Sequence, residues 1–260
     1  MTDSNIHELK LLLDERHAQY NQPDFIEEDP IQIPHQFEEK ADIEIAGFLT
    51  ALIAWGKRSM IIKNANQLMD LMDRQPYQFV INANEKDWDR LANFKHRTFQ
   101  PIDCITLIKS LKNVYTKHGG LEQIFSAGIA PTDIDVYHGL IHARNILTSI
   151  PDFPKRTHKH LANPAKGSAA KRINMFLRWM VRKDTRGVDF GIWKSISMSQ
   201  LICPLDVHTG NVGRKLGILK RKQDNWKAAS ELTAFLRQLC PNDPVKYDFS
   251  LFGLGIYEDF

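Results

Sequence analysis

Residues 164–183 read PAKGSAAKRINMFLRWMVRK. A proline, a glycine among small residues, and then apolar positions at helical spacing form the pattern of a turn that opens a helix. Within that helix Ile173, Phe176, Trp179 and Met180 make an apolar stripe, while Lys171, Arg178 and Arg182, at spacings of seven and four, share another face. A glycine turn at a helix start directs unsatisfied backbone N–H groups outward, where a phosphate can accept them with help from the helix dipole. The expectation is an element that docks on a polyanion backbone. Its turn is Gly167, Ser168 and Ala169, and its basic face carries Arg178 and Arg182.

The same helical period recurs on both sides of this stretch, and alternating strand-like runs are nearly absent. Residues 6–20 predict a first amphipathic helix, followed by a proline-punctuated acidic loop with Pro23, Pro30 and Pro34. Ile43 to Trp55, with Ala46, Gly47, Ala51 and Ala54 interspersed, predicts a closely packed buried helix, and Met60 to Met72 a second. Further helices are expected over Ile102–His118, Leu121–Phe125 and Asp133–Leu147, the last opened by Pro131 and Thr132. Gly119, Gly120, Pro151 and Pro154 supply the stops. The fold class is therefore all-α. We expect a two-lobed helical bundle: residues 46–184 form the lobe bearing the hairpin, residues 1–45 and 185–260 form the other, and a cleft separates them.

At 260 residues and 43% hydrophobic the chain can bury a sizeable core. No apolar run approaches the roughly 20 residues that span a bilayer, and the first residues, MTDSNIHELKLLLDERHAQY, lack the pattern of a signal peptide. A cytoplasmic protein without membrane partners is expected. Cys104, Cys203 and Cys240 are too scattered for a zinc knuckle or an iron–sulfur centre, so no metal or other cofactor is implied and the thiols are expected to be reduced. The net charge of +3 conceals a strong asymmetry. From Lys155 to Lys222 sixteen lysines and arginines face three acids, whereas from Asp24 to Glu44 eight carboxylates face Lys40 alone. Nucleic acid is the usual intracellular polyanion drawn to such a basic region. The alternative is a solvated helix surface.

Beyond the hairpin stretch comes a second motif, Leu205-Asp206-Val207-His208-Thr209, preceded by Pro204 and followed by a helical run to Leu216-Gly217. Asp206 fits a helix N-cap, and a carboxylate held there can also stabilise positive charge on a nearby sugar. Both readings can hold at once.

Together these residues carry a resemblance. Gly-x-x-x-Lys opening a helix, then apolar-Asp-x-His, then Val212, Leu216 and Gly217, resembles the helix-hairpin-helix DNA glycosylase superfamily. The spacing is similar to that of its archaeal branch acting on oxidised guanine, and the whole chain resembles an uncharacterised bacterial family related to these enzymes. The resemblance implies that Lys171 is the amine nucleophile, Asp206 the essential carboxylate and Gly167 the first hairpin glycine. It also implies that His208, Arg214 and Lys215 join the hairpin in meeting nucleic acid. Ala169 stands in place of the second glycine, Asn211 in place of a frequent arginine and Lys215 in place of another. On this resemblance the chain is expected to be a DNA glycosylase with abasic-site lyase activity. Its partner is DNA, with RNA left open, and no obligatory protein partner is inferred. Two alternatives are a non-catalytic nucleic-acid-binding protein of the same fold and a monofunctional glycosylase in which Asp206 activates water.

The remaining candidates have plainer readings. Trp55, Trp179 and Trp193 could stack on a base, but tryptophans on helical apolar stripes belong more often to a core. His96 and Arg97, between Phe94 and Phe99, line a pocket or belong to a hydrogen-bonded turn. His158 and His160 lack a third ligand at metal spacing and are expected on the surface, and Lys220-Arg221-Lys222 is expected to touch phosphate or water.

Overall fold

The computed structural model describes residues 3–258 and 260. The described residues form helices and turns, and no strand occurs among them beyond two isolated bridges. In chain order the α-helices are α1 (Asp3–Tyr20), α2 (Asp24–Glu28), α3 (Lys40–Ile53), α4 (Arg58–Leu71), α5 (Pro76–Asn82), α6 (Glu85–Leu91) and α7 (Pro101–Lys117). They continue with α8 (Leu121–Ser126), α9 (Tyr137–Leu147), α10 (Lys171–Val181), α11 (Val207–Lys215), α12 (Trp226–Leu239) and α13 (Tyr247–Tyr257). No helix of the described residues is long and apolar enough to cross a membrane.

The chain divides into two compact units. Unit 1 comprises Met1–Glu27, Ile134–Val136 and Pro164–Phe260, and unit 2 comprises Glu28–Asp133 and Tyr137–Asn163. The division differs from the one expected from sequence, because residues 164–184 belong with the two chain ends. The reason is what α10 packs against: its arginines take their carboxylates from Asp184, Asp189, Asp243 and Asp248, all in unit 1.

In unit 1, α1 packs along α13. Ser250 donates from Oγ to the Leu13 carbonyl at 2.6 Å, and Tyr247 donates to Asp14 Oδ1 at 3.0 Å. Helix α10 runs through the core, with every residue from Ile173 to Val181 buried. In unit 2, α3 plays the same part: Ile43 to Ile53 are all buried, as the small residues in that stretch predict. Local chemistry sets the boundaries. Asn84 and Asp87 form a capping box at α6, Pro101 occupies the first turn of α7, and Gly120 enters α8 at φ +103°. The helix expected from Asp133 starts later, at Tyr137. Asp133 instead closes a turn, with its Oδ2 accepting from Ala130 N at 2.9 Å.

Candidate active site

Lys171 is the first residue of α10 and Asp206 is the N-cap of α11, so two helix starts bring their side chains together. Lys171 Nζ lies 3.6 Å from Asp206 Oδ2. The lysine side chain is 32% exposed and the carboxylate 25%, so the pair is open to solvent. Asp206 Oδ1 accepts from Thr209 N at 3.0 Å, which satisfies one orphan donor of α11 and fixes the carboxylate's orientation. The cap and the lysine pairing therefore coexist on different oxygens. Both residues lie within unit 1.

The turn before Lys171 is held from several sides. Gly167 sits at φ +86° and Ala170, the N-cap of α10, at φ +51°, while Ala169 lies outside the left-handed region. An alanine is thus tolerated at 169, because the left-handed turn falls on 170. Ser168 Oγ accepts from Ala170 N at 3.2 Å, and Asn174 donates from Nδ2 to Ala169 O at 3.1 Å. Trp226 N donates to Gly167 O at 3.1 Å, and Ser168 bridges Asn225, so the start of α12 pins the turn. Residues 165–168 stay exposed. Sequence reading does not single out Asn174, Asn225 or Trp226. An Asn before a tryptophan-led helical run is an N-cap signal that points to α12, but nothing local points to Gly167.

The expected basic face is corrected. Arg178 is 4% exposed and Arg182 1%, both inside the unit. Arg178 donates to Asp189 Oδ1 at 3.2 Å and to Asp248 Oδ2 at 2.5 Å. Arg182 pairs with Asp189 at 3.1 Å, Asp184 at 2.9 Å and Asp243 at 3.0 Å. Neither arginine is available to a phosphate, because carboxylates from the following loop and from the C-terminal segment neutralise both within the core. Asp248 is itself buried. Burial pushes its carboxyl up to about 6, with Arg178 opposing the shift and Asp206 adding to it. It links two elements of the site, since Cys203, three residues before Asp206, donates from Sγ to Asp248 Oδ1 at 3.8 Å.

Among the other expected contacts, His208 and Lys215 are exposed on α11. Arg214 is engaged within the unit, donating from Nε to Arg221 O at 2.8 Å and pairing with Asp224. Trp179 and Trp193 are core residues, and Trp55 is half-buried. His96 belongs to a hydrogen-bonded turn with Phe99, closed by bonds of 3.0 and 2.9 Å. His160, expected on the surface, is buried at 2% exposure. Its ring stacks on Trp55 at 5.9 Å and its Nε2 lies 3.2 Å from Asp103 Oδ2. Cys104 and Cys203 are buried free thiols and Cys240 is a partly exposed one.

Fold and site together define an all-helical protein whose solvent-open lysine–carboxylate pair is framed by two helix starts and a pinned glycine turn. The chain belongs to the family described as protein of unknown function (DUF2400), which matches residues 29–257 and so includes both Lys171 and Asp206. Neither the curated proteins nor the solved structures contain a match to it.

Proposed function

We propose that the protein is a DNA glycosylase with abasic-site lyase activity, in which Lys171 is the nucleophile and Asp206 the carboxylate partner. The observation that carries this reading is the 3.6 Å approach of Lys171 Nζ to Asp206 Oδ2 at a position open to solvent. Thirty-five residues separate the two in sequence, and both sit at helix starts, where the element that carries each is rigid. The exposed turn Ala165–Ser168, with α10 behind it, acts as a helix-hairpin-helix element whose solvent-facing side meets a phosphate.

The chemistry comes from the two groups. A base within a duplex is out of reach, so the nucleotide is flipped out at a cost of roughly a few kcal/mol. As the bond from C1′ to the base breaks, positive charge builds on the sugar, and the Asp206 carboxylate stabilises it. The Lys171 amine bonds to C1′ while the base leaves with the electron pair and a proton. Opening of the sugar ring gives an imine between Lys171 and C1′, and loss of a C2′ proton then expels the 3′ phosphate and nicks the strand. Oxidised guanine is the first substrate to test.

The test is incubation with duplexes that each carry one damaged base, scored separately for free base and for nicked strand. The reading predicts both products from wild type and neither from Lys171→Gln. Base release that persists in Lys171→Gln while nicking disappears replaces it with a water-activating glycosylase. Nucleic-acid binding without either product leaves a binding protein.

A further inference from the structure

The cations of unit 2 fall into two groups. Some are neutralised: Lys40 meets Glu122 and Glu44, Arg74 lies 2.8 Å from Asp70, and Arg90 lies 2.5 Å from Asp73. Others are not. Nine are exposed and make no ion pair among the described residues: Lys63, Lys86, Lys109 and Lys117 on helices, and Lys57, Lys95, Arg97, Lys155 and Lys159 on three loop and turn segments.

Three contacts bring together the segments that carry the last five. The Arg97 guanidinium lies against Gly56, where a Cβ would stand 2.3 Å from Nη1. Arg156 donates from Nη2 to Thr98 O at 3.2 Å, joining the 3-10 turn Lys155–His160 to the turn at 95–99. The His160 ring stacks on Trp55, with centroids 5.9 Å apart and planes 26° from parallel. The loop after α3, the turn at 95–99 and the turn Lys155–His160 therefore converge on the half-buried Trp55. The carboxylate at this junction, Asp103, has no side-chain exposure. It is consumed by Arg156 at 3.0 and 3.1 Å, Thr157 at 2.7 Å and the Gln100 N–H at 2.9 Å. It cannot offset the charge outside.

The arrangement costs stability. Arg97 is held at φ +53°, a left-handed conformation that is unfavourable for a residue with a Cβ. Unpaired lysines and an arginine around an aromatic side chain suit a polyanion with planar bases and regularly spaced charge. We infer that the cluster of Lys57, Lys95, Arg97, Lys155 and Lys159 binds the phosphate backbone of a nucleic acid. The choice of nucleic acid among polyanions rests on the reading of the Lys171–Asp206 site, while the surface itself does not.

The test is fluorescence-anisotropy titration of the full chain against an undamaged labelled duplex over a range of salt. Wild type is compared with Lys57→Gln/Lys155→Gln/Lys159→Gln, and with Lys86→Gln/Lys109→Gln/Lys117→Gln, which removes equal charge from exposed positions elsewhere on unit 2. The first variant is expected to bind about tenfold or more weakly at low salt. Its slope of log K against log salt should be shallower by about 2 to 3, near 0.9 per lost phosphate contact. The second variant should stay close to wild type. Equal losses in both variants, or none in the first, overturn the inference. So does cosedimentation with phosphatidylserine vesicles that the first variant abolishes while duplex binding is unchanged. Base release measured in parallel separates the two claims: weakened binding by the first variant, with no base release from any form, upholds the surface and removes the glycosylase.

Discussion

Asp206 serves Lys171 with one carboxylate oxygen and α11 with the other: Oδ2 lies 3.6 Å from the lysine Nζ while Oδ1 accepts from Thr209 N at 3.0 Å. Asparagine can keep the second role without the charge needed for the first. Asp206→Asn is therefore expected to unfold in urea within about 0.5 kcal/mol of wild type, whereas Asp206→Ala loses about 1 kcal/mol with the cap. Base release should vanish in both. An asparagine variant that retains full excision would show that the carboxylate only caps the helix.

The core arginines make a stability prediction. Arg182 is 1% exposed and faces three carboxylates, of which Asp189 has no exposed side chain. Truncating Arg182 removes the shared counter-charge of all three and leaves Asp189 to Arg178 alone, a loss of about 3–5 kcal/mol. Arg182→Ala should accordingly lower the urea midpoint sharply. A change below about 1 kcal/mol would mean that water reaches the network.

These arginines also mark where sequence reading stops. The α-helical class, the start of α10 and the capping role of Asp206 are legible, because helical period, glycine and aspartate placement act locally. The burial of Arg178 and Arg182 is not. Their spacing on α10 is the same whether the face meets solvent or carboxylates, and those carboxylates come from positions 184, 189, 243 and 248. Helix α13, YDFSLFGLGIY, escapes for a related reason: it is apolar on nearly all sides and shows no stripe. His160 reads as a surface residue because its partners, Trp55 and Asp103, are distant in sequence.

Close packing of α1 on α13 gives a steric prediction. A Cβ at Gly253 would lie 2.1 Å from the Tyr20 ring. That ring cannot swing aside freely, since its hydroxyl donates to Glu258 at 2.6 Å and it stacks on Tyr257 at 5.5 Å. Gly253→Ala is expected to cost about 1–3 kcal/mol in thermal or urea unfolding. Gly255→Ala, whose nearest contact is 3.2 Å, should cost much less. Equal effects would indicate that the two helices separate readily.

Acid stability should depend on His17. Burial pushes its imidazole down to about 4, with Arg182 and Lys246 adding to the shift and Asp184 and Asp14 opposing it. Its Nε2 accepts from Arg182 Nη2 at 3.1 Å and pairs with Asn21 Nδ2 at 3.0 Å, contacts that fit the neutral ring. Between the ordinary value of 6.5 and about 4 the unfolded chain binds a proton that the folded chain refuses, so stability falls with pH through that window. Asp248 acts oppositely: its carboxyl, raised from 3.8 to about 6, favours the folded state as pH falls through that interval. The stability advantage of wild type over His17→Asn should therefore shrink as pH drops from about 7 toward 4, read from urea midpoints at successive pH. A constant difference would contradict the neutral ring.

The most direct test is covalent. Borohydride added during reaction with a duplex carrying a damaged base should reduce the imine and leave one DNA adduct per chain, located by peptide mass spectrometry on Lys171 and absent from Lys171→Gln. An adduct of undiminished yield in that variant, or none with wild type on any lesion whose base it releases, would contradict the nucleophile assigned here.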